Sequence, residues 1–373
     1  MNCAAHEHRP LSGTDRSVSG DIIHGTSLAA FLALLASAGA ASAAATCTLP
    51  NIADKVTLKQ VNGSVLVTVP VAINGTPKQF LLDLGTKPTR IAQAAVTELG
   101  LPQAVRQTEG IQTPHFSGDL SFGSPTVQAT VRQVGSGTDQ DKFGERVRLG
   151  SFTIGDATAK YLMFLIARDG ELAKDAPYDG LLTNDFFRQY DVEIDFGAMR
   201  MLWLTPTQCT DPAQVAFWAN DGVAMMPMST ENSRFKIPVT IDGHNIDAVI
   251  DTSSEHTVMR RDIAEQVLGL KAGTPEMTPA ADTKDGMGQP VYRHVFPKIT
   301  FVGEGSVTAA NTPVLISANS VVGADKEKML GSQARSMDAR IPDLVLGMDV
   351  LHHLHLYAVF GQKRLYITQA FSP

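Results

Sequence analysis

The chain has 373 residues, of which 43% are hydrophobic, and a formal net charge of −7. That length can bury two ordinary cores, and the acidic balance argues against nucleic acid as the main partner. No run of twenty apolar residues lies in the body of the chain, so no stable membrane span is expected in the mature form. The 31 glycines and 20 prolines suit a turn-rich β protein.

Residues 1–46 read as a leader. Ser27 to Ala45 form a short apolar core rich in small residues, and Ala41-Ser42-Ala43 fits an Ala-Xaa-Ala cleavage signal. The flank before it is long and polar and carries Glu7, Asp15 and Asp21, which fits either an extended leader or a start further downstream. A membrane anchor is the competing reading. The shortness of the apolar core favours export, to the periplasm or beyond. Thr46 ahead of Cys47 argues against lipid attachment. Cys3 would leave with the leader, and Cys47 and Cys209 remain as an even pair, which in an oxidising compartment suggests one disulfide. Two unpaired thiols are the alternative.

The first half, residues 47–205, opens with Val69-Pro70-Val71-Ala72-Ile73-Asn74-Gly75 and then Phe80-Leu81-Leu82-Asp83-Leu84-Gly85-Thr86. One Asp ends an apolar strand just before a small-residue turn. Thr89-Arg90-Ile91 and Ala94 to Leu101 predict a strand turning into a short helix that stops at Gly100. Pro102 to Asp141 is polar and turn-rich, with a hairpin expected around Phe122-Gly123-Ser124-Pro125. Val147 to Gly155 alternates, and Tyr161 to Ile166 reads as a buried strand. Asp179-Gly180-Leu181-Leu182-Thr183-Asn184-Asp185-Phe186-Phe187 predicts a strand and a short helix, followed by a hairpin over Val192–Leu204 with Gly197 in its turn. Residues 206–212, with Cys209 inside, read as a linker.

Residues 213–373 repeat this order. Ile237-Pro238-Val239-Thr240-Ile241-Asp242-Gly243 precedes Ala248-Val249-Ile250-Asp251-Thr252-Ser253-Ser254. Pro70 to Asp83 spans 83 − 70 = 13 positions, and Pro238 to Asp251 spans 251 − 238 = 13. Thr257-Val258-Met259 and Asp262 to Leu270 repeat the strand and helix. Gly273 to Gln289 is polar like Pro102–Asp141. His294 to Phe301 and Val314-Leu315-Ile316 read as strands. Asp343-Leu344-Val345-Leu346-Gly347-Met348-Asp349 and the hairpin Leu356–Ile367 close the half. Asp185 to Asp349 and Phe196 to Phe360 are both offset by 164 (349 − 185 and 360 − 196), so the register holds without a gap. Four matched anchors in one order indicate an internal duplication.

An Asp before a glycine turn is, alone, an ordinary turn. Two copies change that, because pseudo-two-fold packing would bring the two turns face to face. Two nearby carboxylates share one proton rather than both ionising. One can then take a proton from water while its protonated partner polarises a peptide carbonyl.

The segments Leu82-Asp83-Leu84-Gly85-Thr86 and Ile250-Asp251-Thr252-Ser253-Ser254, with Leu346-Gly347-Met348-Asp349 downstream, resemble the bacterial retropepsin-like aspartic proteases, relatives of retroviral and pepsin-type enzymes. The resemblance runs from about Val65 to Ile367. It implies an all-β fold of two pseudo-two-fold-related β-barrel lobes with short helices and an interface cleft. It implies Asp83 and Asp251 as the catalytic pair of an endopeptidase, with Gly85, Thr86, Thr252, Ser253 and Ser254 supporting them through turn hydrogen bonds. It further implies no cofactor and no metal, a monomer, an extended peptide or unfolded protein as substrate, and a flap within Pro102–Asp141. The family motif is Asp-Thr/Ser-Gly-Ser/Thr, and this chain departs from it. Leu84 stands where a hydroxyl belongs, Ser253 stands where Gly belongs and is expected to crowd the backbone, and Thr183 stands where the second half keeps Gly347. A catalytically degenerate two-lobed β module that binds extended peptides without cleavage is the rival reading.

Other features are weaker. His352, His353 and His355 suggest a metal only in isolation, and are expected on a helix end without a completing ligand. His256 reads as a surface residue, Met225, Met226 and Met228 as core or interface packing, and Asp185 and Asp349 as caps or packing for the short helices.

Overall fold

The computed structural model describes residues 50–85, 89–104, 116–117, 132–133, 145–167, 172, 175–187, 190–209, 211–216, 218–219, 222–229, 235–285, 287–318 and 342–370. The leader, Cys47 and hence its expected pairing with Cys209, Thr86, the hairpin around Phe122–Pro125 and most of the expected flap fall outside them. Strands dominate, and the helices are short.

Each repeat begins as the same hairpin. Val67–Ile73 pairs antiparallel with Thr76–Asp83, and Phe235–Ile241 pairs with His244–Ile250. Alternate residues Val67, Val69, Val71 and Ile73 are buried, as are Phe235, Ile237, Val239 and Ile241. Both hairpins turn on two consecutive left-handed residues, Asn74 (φ 50) with Gly75 (φ 83) and Asp242 (φ 49) with Gly243 (φ 83). That backbone matches the twist of the flanking strands, and Asn-Gly and Asp-Gly adopt it readily.

Each aspartate strand is then flanked by a returning strand. Gly180–Thr183 runs parallel to Thr76–Asp83, with Thr183 opposite Asp83, and antiparallel to Arg90–Ile91. Leu344–Leu346 runs parallel to His244–Ile250 and antiparallel to Val258–Arg260. The turn after each Asp must therefore cross over the end of the returning strand. The helices Gln93–Glu98 and Arg261–Gln266 follow, and Gly100 (φ 57) and Gly269 (φ 71) lie just past their ends. Tyr161 is exposed with φ 61, and the buried strand expected there starts only at Met163.

The halves join through one six-stranded sheet. Its order is Ile52–Thr57, Arg200–Leu204, Asp191–Asp195, Leu354–Val359, Arg364–Gln369 and Ala224–Pro227. The first three strands come from the first half and the last three from the second. At the centre Val192 pairs with Ala358 and Ile194 with Leu356. Applying the repeat offset exchanges these two pairs (192 + 164 = 356; 358 − 164 = 194), so the register is itself two-fold. This shared sheet makes residues 47–373 one unit. Both central hairpins contain a glycine, yet their left-handed residues are Met199 (φ 49) and Lys363 (φ 54). Met225, Met226 and Met228 are buried in and beside the last strand.

The sheet carries buried charge. His355 lies inside the strand Leu354–Val359, not on a helix end as expected. It is fully buried, with Nε2 3.1 Å from Glu193 Oε1 and its ring stacked on Trp218. Burial pushes Glu193 up, but His355 and Arg200 outweigh it and hold its carboxyl below the usual range. No cluster of metal-ligating side chains occurs among the described residues.

Asp191 behaves differently. Its Oδ2 accepts the Thr207 N–H at 2.6 Å and the Tyr357 hydroxyl at 3.3 Å, while Gln362 Nε2 donates to the carbonyls of Thr207 and Cys209. The linker is thereby clamped by both halves. Burial raises Asp191 from 3.8 to about 6, and its two hydrogen bonds only partly offset this. The native state thus holds the proton more tightly than the unfolded chain does. This contribution is complete below about pH 4 and is lost as pH rises through about 6. Two pH units correspond to about 3 kcal/mol. Urea denaturation across this window is expected to show a decline in stability that Asp191→Asn flattens. An identical pH slope in the variant would contradict the assignment.

Candidate active site at the meeting of the two turns

Asp83 and Asp251 close their strands at the same point of the two repeats, and the turns that follow meet. The closest approach is at Gly85. A Cβ added there would lie 2.3 Å from Asp251 Cγ and 2.5 and 2.7 Å from its two oxygens. The Gly85 N–H meanwhile donates to Asp83 Oδ1 at 2.9 Å. One residue without a side chain therefore touches both carboxylates. Any larger residue would displace the second from the first. Asp83 is 1% exposed, whereas Asp251 is half-buried.

Thr252 ties the turns together. Its buried hydroxyl accepts the Leu84 N–H at 3.0 Å and donates to the Leu82 carbonyl at 2.7 Å. Leu84 has no hydroxyl to return. Its buried side chain instead helps line a narrow apolar cavity walled from both halves, with Phe187, Ile194, Phe235, Ile250 and Leu356. Losing two hydroxyl bonds forfeits about 0.5–1.5 kcal/mol each, and burying a leucine contributes about 1.5–3 kcal/mol. The two are comparable, so apolar packing replaces the missing half of the link.

The remaining motif residues divide. The Ser253 N–H and hydroxyl both donate to Asp251 Oδ1, at 3.0 and 2.7 Å. The Ser254 hydroxyl does not reach the carboxylate and donates to the His256 carbonyl at 2.8 Å. Thr86 lies outside the described residues. The side chain of His256 is exposed, with Nδ1 3.9 Å from Asp349 Oδ2.

Asp185 and Asp349 do not cap their helices, since neither N-cap has a side-chain bond. They clamp the far ends of the crossing turns instead. Asp185 accepts the Thr89 N–H at 3.0 Å and its hydroxyl at 2.6 Å. Asp349 accepts the Thr257 N–H at 2.9 Å and its hydroxyl at 2.6 Å. Thr89 and Thr257 were not picked out as site residues, yet each lies six positions after its Asp (89 − 83; 257 − 251), which was the available signal. Gly347 is also explained, because a Cβ there would lie 2.3 Å from the His256 backbone. Its twin Thr183 points its hydroxyl to Asp185 at 2.7 Å.

Beside the second turn lies an open cleft of about 560 Å³ lined by Ser64, Glu255, His256 and Asp349, among others. A Ser64 hydroxyl to Glu255 hydrogen bond joins the halves there.

A family model described as aspartyl protease matches residues 237–350, which include Asp251, Ser253 and Gly347 but not Asp83. No curated protein matches the chain. Among solved structures, conglutin gamma, a basic 7S globulin from lupine seeds, aligns at 12% identity over 86% of this chain and 95% of that one, with a TM-score of 0.45.

The Thr252 link has a measurable consequence. Thr252→Val keeps the shape but leaves the Leu84 N–H and Leu82 carbonyl buried without their hydroxyl, at about 1–3 kcal/mol for each group. Thr252→Ser is expected to retain most of the wild-type stability in urea denaturation. Equal stability of the Val variant and wild type would refute a bridging role.

Proposed function

We propose that this protein is an exported aspartic endopeptidase, with Asp83 and Asp251 as its dyad. The single observation that carries this reading is the approach of the Asp251 carboxylate to Gly85, the residue whose N–H binds Asp83. The family match over residues 237–350 supports it from the second half. An ionised carboxylate takes a proton from the shared water, whose oxygen attacks the peptide carbonyl carbon. The partner's proton polarises the carbonyl oxygen, and the C–N bond then breaks as a proton passes to the leaving amine. The reaction calls on no metal or cofactor. The cleft beside Ser254–His256 offers room for part of an extended peptide or unfolded protein. Export rests on the Ala-rich leader that ends near Ala43.

A second reading follows from Leu84. With one hydroxyl link instead of two, the dyad geometry depends on Thr252 and on apolar packing, and a module that grips peptides without cutting fits that arrangement. Incubation with an unfolded protein from acidic to neutral pH separates the readings. Wild type is expected to cleave it, and Asp83→Asn and Asp251→Asn are each expected to lose at least about 100-fold in rate. Peptide binding with equal background cleavage in all three proteins would favour the non-catalytic module.

A further inference from the structure

Ser253 and Gly85 occupy the same place in the two repeats (253 − 85 = 168 = 251 − 83) but treat Asp251 in opposite ways. Gly85 leaves space, since its Cβ would collide with the carboxylate. Ser253 supplies contact, with its hydroxyl 2.7 Å and its N–H 3.0 Å from Asp251 Oδ1. The next residue cannot share this task, because the Ser254 hydroxyl is spent on the His256 carbonyl. Rotation of a carboxylate about its Cβ–Cγ bond is intrinsically broad, so an aspartate keeps one orientation only where donors impose it. Here two donors from one residue converge on one oxygen, and Gly85 closes the space beside the carboxyl group.

We propose that Ser253 is a positioning residue for Asp251, its hydroxyl turning Oδ1 inward so that Oδ2 faces the shared water and the peptide carbonyl. The serine is then a functional part of the site and not a damaged glycine. This inference rests on the proteolytic reading and deepens it.

The two views make opposite predictions for Ser253→Gly. If the serine positions Asp251, both Ser253→Gly and Ser253→Ala lower kcat about ten- to a hundredfold with little change in KM. Ser253→Thr, which keeps the hydroxyl, stays near wild type. If the serine merely damages a glycine position, Ser253→Gly is faster than wild type. A kcat in Ser253→Gly equal to or above that of wild type overturns the proposal. Thermal unfolding of each variant checks that the loss is not loss of fold.

A second readout needs no turnover. Affinity for a peptide whose scissile unit is replaced by a secondary alcohol is expected to weaken about tenfold in Ser253→Ala and to persist in Ser253→Thr. Unchanged affinity in Ser253→Ala overturns the proposal. A wild type that binds this peptide but cleaves nothing instead sinks the proteolytic reading. The two failures are therefore distinguishable.

Discussion

The Asp251 carboxylate occupies the space that a side chain on Gly85 would need, and this close approach governs the rest of the site. It requires that two turns, 168 positions apart (251 − 83), arrive at one place. The chain achieves this by repetition. Each aspartate ends an equivalent strand, each turn crosses an equivalent returning strand, and each is clamped at its far end by a Thr–Asp pair. The two-fold register of the central sheet then sets the halves against each other. Position is carried by backbone pairing and buried hydroxyls, which are stiff, rather than by exposed ion pairs, which contribute little.

The same symmetry makes its exceptions informative. Leu84 and Thr252 are twins, but one gives an apolar contact and the other a hydroxyl bridge. Gly85 and Ser253 are twins, but one withdraws from Asp251 and the other binds it. Thr183 and Gly347 are twins, and only the glycine lies against a backbone that excludes a Cβ. Divergence has thus fallen on side chains of the crossing turns and at the ends of the returning strands, while the strand pairing that aims them remains matched. The central sheet shows a related contrast. Asp191 and Glu193 are two residues apart, yet the first is pushed up by burial and the second is held down by His355 and Arg200.

Much of this was legible in the sequence, for definite reasons. The 13-residue spacing from Pro to Asp and the 164-residue offset of the closing blocks are properties of a duplicated chain, and they placed both hairpins, both returning strands and the aspartates. The β class followed from alternation and turn residues. The shared sheet was less accessible, because pairing between Asp191–Asp195 and Leu354–Val359 joins strands far apart in sequence and leaves no local pattern. His355 was misplaced for a related reason. A histidine beside two others looks like a surface cluster until Glu193 and Trp218 are brought to it by that long-range pairing. Of the two roles expected for Asp349, capping fails: an acidic residue early in a short helix resembles a cap, while its partner Thr257 lies 92 residues away. The fate of the Ser253 and Ser254 hydroxyls depends on rotamers, which a motif does not encode.

Proteolysis by this site requires the two turns to present their carboxylates to one reacting group. A crystal structure of the protein bound to a peptide with a central secondary alcohol tests it most directly. The alcohol oxygen is expected within hydrogen-bond distance, about 3 Å, of carboxylate oxygens from both Asp83 and Asp251. An alcohol held by one aspartate alone, or a peptide seated away from Gly85, would contradict it.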